Sequence, residues 1–373
     1  MKNKIWKFKR GIGIGGWLTN YKRFNVLPDD RKLDLTIGDF EHFESYITEK
    51  DVRYIASLGM DHIRVAFDQI VLEEKPFVYR ESTFRLLDNF IGWCKKHHIG
   101  CILNLHKSLG NYCDVPQPVK LLEDNTLQER FTALWLECER RWHDQPDIVF
   151  ELLNEVVGGS EAVDSWNDLA GHTIEELRKC NPTRRIVVGG VCWNSPAFLK
   201  DVKIYDDENV IYTYHFYYPH CFTHQRGVLS WDNLYYNRVM AYPGDIEPYR
   251  EFNRTVYGNE NSFQGVERMD ISCLANAMQG AFDFREAHPD KVLWLGEFGT
   301  IRHCPIAFRE NYMHDVILLA KQHDISYCSW NYMSTPNDGN RFSLVDDDTR
   351  KVLSSRLKSI LKGHVRPIKN YSK

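Results

Sequence analysis

No apolar run in this chain approaches the ~20 consecutive residues that a membrane-spanning helix needs. A bilayer is therefore not expected among its partners. Paired CxxC motifs are missing too. The ten cysteines stand singly, so reduced thiols in a cytoplasmic protein are the simpler expectation than a disulfide framework. The basic start, "MKNKIWKFKR", runs into glycines without the apolar stretch of a secretory signal. An excess of positive charge is absent as well: 47 basic and 51 acidic side chains are mixed along the chain, net −4, and no basic face stands out to attract nucleic acid. Repeats, low-complexity tracts and interdomain linkers are lacking, so residues 1–373 read as one domain. No GxGxxG loop opens a helix; "GIGIGG" leads into Trp17 and a polar loop instead. The most metal-like group is Cys94, His97, His98 and Cys101 in "WCKKHHIGC". It straddles a helix end and a strand start, so its side chains should diverge, and neither a metal nor another cofactor is expected. Nothing here speaks to the oligomeric state.

What is present is a regular alternation. Apolar runs at 11–17, 62–67, 101–106, 148–154, 186–191, 210–216, 292–298 and 326–331 read as strands. Several are apolar throughout, as parallel strands covered on both faces should be. Helical patterns follow at 48–58, 82–98, 126–143, 165–180, 307–323 and 349–362. Thr48 with Asp51 three residues on resembles a capping box, and Gly59 stops that helix. Eight strands in one alternating array predict a closed (β/α)8 barrel, with a doubly wound open sheet as the alternative. One connection is too long: roughly 70 residues, 219–289, join the sixth strand to the seventh. It holds Trp231, Tyr235, Tyr236, Tyr242, Tyr249, Phe252, Tyr257 and Phe263, then a helical pattern at 272–288. Its first part is expected to form a lid over the barrel mouth.

Barrel enzymes carry their chemistry at the C-terminal ends of the strands. There this sequence places Arg64 in "HIRVAF", His106 in "CILNLHK", Asn154 and Glu155 in "FELLNE", His215 and Tyr217 in "YHFYYP", Glu297 in "GEFG", and Trp330 in "CSWNY". Glu155 and Glu297 end the fourth and seventh strands, opposite one another. Two carboxyl groups across a cleft are the equipment of glycoside hydrolysis: one delivers a proton, the other attacks the anomeric carbon. Arg64 and Tyr217 are placed to keep Glu297 anionic, leaving Glu155 as the acid. Gly296 and Gly299 would permit a sharp backbone course at Glu297. Taken singly, Glu155 reads equally well as a helix cap, Glu297 as the partner of Arg64 in a structural ion pair, and His106 and Trp330 as core residues. The joint pattern needs four coincidences under those readings.

That ordered set resembles glycoside hydrolase family 5, a family of retaining (β/α)8 enzymes, with "LNE" and "GEFG" as the most specific marks. The resemblance spans nearly the whole chain and is strongest to the non-secreted endo-β-glucanases of the cellulase C type, through "GGW" (15–17), "YITEKD" (46–51), "FELLNE" (150–155) and "FTHQ" (222–225). It implies an extra subdomain over the cleft, Glu155 as acid/base and Glu297 as nucleophile. It further implies that Asn154 binds a sugar 2-hydroxyl, that Arg64 and Tyr217 orient Glu297, that His106 and His215 line the cleavage subsite, and that Trp330 stacks beneath the ring. The chain departs from the family pattern at Asn104 and at Lys107-Ser108-Leu109-Gly110, where substrate length and linkage are read. The expected substrate is a soluble β-1,4- or mixed-linkage gluco-oligosaccharide or β-glucan. β-Mannan, β-1,3-glucan or a small β-glucoside on the same scaffold, transglycosylation, and a barrel that binds carbohydrate without cleaving it are the alternatives.

Overall fold

The computed structural model describes residues 5–22, 35–113, 119–227, 237–335, 338 and 340–367. Trp231, Tyr235 and Tyr236 of the long connection lie outside them. Eight parallel strands close into a barrel, each beside its neighbours in the chain and the first beside the last. They are β1 (Arg10–Leu18), β2 (His62–Asp68), β3 (Gly100–Lys107), β4 (Ile148–Glu151), β5 (Ile186–Gly189), β6 (Val210–Phe216), β7 (Val292–Phe298) and β8 (Ser326–Ser329). Regular pairing in β4, β5 and β8 stops two or three residues before the apolar runs do, because beyond it the backbone turns into the loops that carry the site.

The helices Glu49–Ser57, Glu81–Lys96, Asn125–Trp142, Val163–Cys180 and Ile306–Gln322 fall where the periodicity puts them. Asp51 accepts the Thr48 backbone N–H at 2.9 Å, as the capping pattern required. The expected helix at 349–362 is shorter, Ser355–Leu361, and Ser354 caps it by accepting the Leu357 N–H at 2.9 Å. The preceding residues turn instead, with Arg350 at φ +54°. The pattern at 272–288 is two helices, Ile271–Ala277 and Gln279–Ala287. They join the barrel wall: Phe284 sits 5.1 Å from Tyr212 of β6, and a Cβ on Gly280 would lie 2.3 Å from the Pro196 carbonyl oxygen. That helix thus packs on the 3-10 turn Pro196–Asp201, the only helical segment between β5 and β6.

Two apolar clusters fill the molecule. The larger lies between strands and helices and includes Tyr242, Tyr249, Phe252 and Phe263 of the long connection. The smaller, Ile102, Val149, Val187, Ile211, Val292, Trp294 and Cys328, fills the barrel interior, with Trp6 and Phe8 packed against it. Side chains alternate along a strand, so the residues two further on, Asn104, Glu151 and Thr213, share that interior. All three are buried. The interior is apolar at one end and polar where the site begins. Among the described residues no helix is long and apolar enough to cross a membrane.

Candidate active site

In β7, Val292 and Trp294 belong to the interior cluster, so strict alternation would turn Glu297 outward. The pairing of β7 with β6 slips by one residue between Leu295 and Glu297: Leu295 faces Tyr214, whereas Glu297 faces His215. This bulge at Gly296 swings the carboxylate into the barrel, a use to which bulges beside active sites are put. Neither glycine has positive φ. They are needed for close approach: a Cβ on Gly296 would lie 2.5 Å from Thr213 Oγ1, and one on Gly299 2.3 Å from the Trp330 carbonyl oxygen.

Arg64 lies within β2 rather than at its end, fully buried one layer beneath the rim. Its Nε donates to Glu151 Oε2 at 2.6 Å and its Nη2 to Glu151 Oε1 at 2.8 Å. Nη2 also reaches Asn154 Oδ1 at 2.6 Å, and Nη1 donates to Glu297 Oε1. Tyr217 donates its hydroxyl to the other oxygen of Glu297 at 2.9 Å. The Tyr217 ring is wedged between His224, 5.3 Å away, and Phe342, 5.6 Å away.

Glu155 follows β4 and is hydrogen-bonded through Oε1 to His215 Nδ1 at 2.8 Å. Asn111 pins the backbone just after Glu155, on either side of Val156: its Nδ2 donates to the Glu155 carbonyl at 2.6 Å, and its Oδ1 accepts from Val157 N at 3.2 Å. The Glu155 side chain is 13% exposed and that of Glu297 only 5%, so water reaches the first more readily. Donor atoms of Glu155, His215 and Glu297 lie within 4.8 Å of one another. Among the described residues this is the one trio spaced for a metal, but Arg64, Tyr217 and the Glu155–His215 bond already engage its donors, and the adjoining guanidinium disfavours a cation. Cys94, His97, His98 and Cys101 form no such group; His97 turns to Glu49 at 3.0 Å.

Trp330 forms a wall nearly parallel to the His106 ring, 7° apart in plane with centroids at 5.3 Å. Gly13 and Gly15 of β1 leave room for it: a Cβ on either would lie 2.6 Å from the indole. Here "GIGIGG" finds its use. His106 Nδ1 bonds Asn104 Oδ1 at 3.1 Å, so the departure at Asn104 orients His106. In the other departure, Lys107 Nζ donates to Asn20 Oδ1 at 2.7 Å, and Gln69 Oε1 accepts from Ser108 Oγ at 2.9 Å and Leu109 N at 3.0 Å.

Burial lifts the Glu297 carboxyl above the ordinary range, while Arg64 and Tyr217 pull it back. The contacts expected from the sequence are present, but desolvation outweighs them. Burial likewise raises Glu151, with Arg64 opposing and Glu297 adding to the rise. Burial works against the Arg64 charge, yet the Glu151 and Glu297 carboxylates prevail and it stays cationic. His215 is pushed well down by burial and then by Arg64; His106 is pushed well down by burial, then Lys107 and Arg64. Both rings are neutral near pH 7.

The structure thus gathers all eight sequence-derived candidates, Arg64, His106, Asn154, Glu155, His215, Tyr217, Glu297 and Trp330, into one connected cluster of contacts. Sequence reasoning missed Glu151, Asn111 and Trp193. A charge inside the apolar run "IVFELL" was a signal for Glu151; a loop asparagine gives none. Trp193 is 42% exposed just past β5, with its ring N–H donated to the Cys113 carbonyl at 3.0 Å and its backbone N–H to Val156.

A family model described as Cellulase (glycosyl hydrolase family 5) matches residues 31–335. The chain belongs to glycoside hydrolase family 5. As a member it is a glycoside hydrolase. Endoglucanase C of Acetivibrio thermocellus is 33% identical over 359 residues, spanning 95% of this chain and 98% of that one. Cellodextrinase A of Ruminococcus flavefaciens is 32% identical over 221 residues, 58% of this chain and 60% of its own. The fold is shared with Thermotoga maritima Cel5A, solved in complex with cellobiose: TM-score 0.72 and 21% identity, covering 96% of this chain and 98% of that one.

Proposed function

We propose that this family 5 enzyme is an endo-β-glucanase that cleaves soluble β-1,4- or mixed-linkage gluco-oligosaccharides with retention, using Glu297 as nucleophile and Glu155 as acid/base. The supporting observation is the approach of the two carboxylates to within 4.8 Å. That matches the roughly 5 Å of a direct displacement and leaves no room for the intervening water an inverting enzyme needs. Glu297 attacks the anomeric carbon as Glu155 protonates the departing glycosidic oxygen. A water deprotonated by Glu155 then releases the sugar from Glu297.

Each neighbour has a part in this reading. Arg64 and Tyr217 stabilise and aim the Glu297 carboxylate. Asn154 spends its Oδ1 on Arg64 and donates one amide N–H to Cys113 Sγ at 3.6 Å, which leaves its second N–H for the 2-hydroxyl. His215 holds the Glu155 carboxyl and, with His106, lines the cleavage subsite. Trp330 offers an apolar face to the C–H side of the pyranose. Trp193, bonded through its backbone to the loop that follows Glu155, is a second platform on the leaving-group side. Of the insertion 219–289, the described part ahead of the wall helices, residues 219–227 and 237–270, overhangs the cleft as a lid in this reading, which the packing of His224 on Tyr217 favours. Ten free cysteines suit a cytoplasmic setting, where imported fragments rather than insoluble cellulose would be the substrate.

Proton NMR of the first product from cellotetraose, before mutarotation, tests the reading: the β-anomer is expected, and the α-anomer overturns it. Parallel assays on barley β-glucan, laminarin, mannan and aryl-β-glycosides test the substrate assignment. Release of reducing sugar only from mannan or laminarin would reassign the enzyme within its family.

A further inference from the structure

We propose that Glu151 is a positioning residue of this enzyme: from inside the barrel it grips Arg64 at two points and divides its charge, so that Glu297 is aimed and yet basic enough to attack. The inference rests on the assignment of Glu297 as nucleophile and goes beyond it. Glu151 is entirely buried and has no path to substrate. Its two bonds, to Nε and Nη2 of Arg64, fix the guanidinium plane. A planar, two-point grip is what carboxylate and guanidinium geometries favour. With that plane set, Nη1 points at Glu297 and Nη2 at Asn154. One buried grip therefore orients both the nucleophile and the proposed 2-hydroxyl ligand.

The charge balance is the second half. One guanidinium serves two buried carboxylates; the Glu297 charge raises the proton affinity of Glu151, and repulsion between two like charges acts in both directions. Arg64 faces Glu151 from β2, Glu297 from β7, and the buried Cys328 thiol, which keeps its proton, from β8. Asn104 is its register partner on β3, and the nearby His106 and His215 are held neutral by burial. Were Arg64 to serve Glu297 alone, the nucleophile would be an over-stabilised, weakly basic anion. Glu151 takes up part of that field.

The test compares Glu151→Gln and Glu151→Asp with the parent by pH profile, kcat, KM and melting temperature. Gln removes the charge and turns an amide N–H against an Arg64 N–H. The acid limb of kcat/KM should then move down by about one pH unit, while kcat at the optimum falls about 10²-fold through lost aim. Asp keeps the charge with a shorter reach, so its limb should stay with the parent's while kcat drops at least about tenfold. A Glu151→Gln enzyme that loses kcat and melting temperature without any shift of the limb would show a merely structural role and overturn the proposal. Should that variant not fold, an Asp enzyme with parental kcat would overturn it equally. Labelling with a 2-deoxy-2-fluoro-β-cellobioside carrying a good leaving group separates the two ideas. A label away from Glu297 defeats the nucleophile assignment and this proposal together, whereas a label on Glu297 with an unmoved limb defeats this proposal alone.

Discussion

At the scale of single residues, Glu297 is held between burial, which favours its proton, and two donors, which favour its charge. As the proposed nucleophile it must be ionised, so activity should fall on the acid side as pH drops through a value above the ordinary carboxylate range. Tyr217→Phe removes the 2.9 Å donor and leaves burial and Arg64 in place. The Glu297 carboxyl then rises further, and its anion forms only at higher pH. The acid limb of kcat/KM should move up by about one unit, opposite to the shift expected for Glu151→Gln, with a loss of roughly tenfold at the plateau. An unmoved limb in purified, folded Tyr217→Phe would mean that the phenol does not tune Glu297. Most of the candidate residues were legible because they interrupt an apolar run in or just after a strand, where a buried polar group needs a reason. Glu151 was passed over because its reason, Arg64, lies 87 residues away and no local pattern links them.

Among the elements, the strands announced themselves as short apolar runs, and the barrel followed from their number and alternation. The bulge in β7 did not. A slip in register belongs to a pair of strands, and a single sequence shows only one of the two. The same limit explains the C-terminal helix, whose first expected turn is given up so that Arg350 can reach Asp51. Gly296 tests the bulge. In Gly296→Ala the new methyl would meet Thr213 Oγ1 at 2.5 Å and His215 Nε2 at 3.3 Å, so the strand must shift where it aims Glu297. We expect kcat to fall about 10²-fold and stability to drop about 1–3 kcal/mol. Initial rates on cello-oligosaccharides and calorimetry read the two effects, and a variant with parental kcat would show that Glu297 tolerates a looser strand.

For the whole molecule, the seam between the first and last strands is where the chain must find itself again after more than three hundred residues. Trp330 stands on this seam over Gly13 and Gly15, and Tyr332 donates its backbone N–H to the Gly13 carbonyl at 2.8 Å. Asp51 binds the seam from outside. Its carboxylate accepts from Tyr332 Oη at 3.0 Å and Arg350 Nη1 at 2.6 Å, partners 281 and 299 residues further on, and caps its own helix through the Thr48 N–H at 2.9 Å. "YITEKD" foretold the cap, but nothing local could foretell the other two bonds. Asp51→Ala orphans the buried Tyr332 hydroxyl, whereas Arg350, 35% exposed, can turn to water, so the loss should be about 2 kcal/mol rather than that of a fully buried pair. In a chain of this size that corresponds to a melting temperature lower by roughly 2–3 °C. Because Asp51 touches no group of the cleft, kcat and KM well below the transition should remain parental, and heat should inactivate the variant sooner. A parental melting temperature would place the closure of the barrel in the strand ladder alone; a changed KM at low temperature would mean that the seam transmits strain to Trp330.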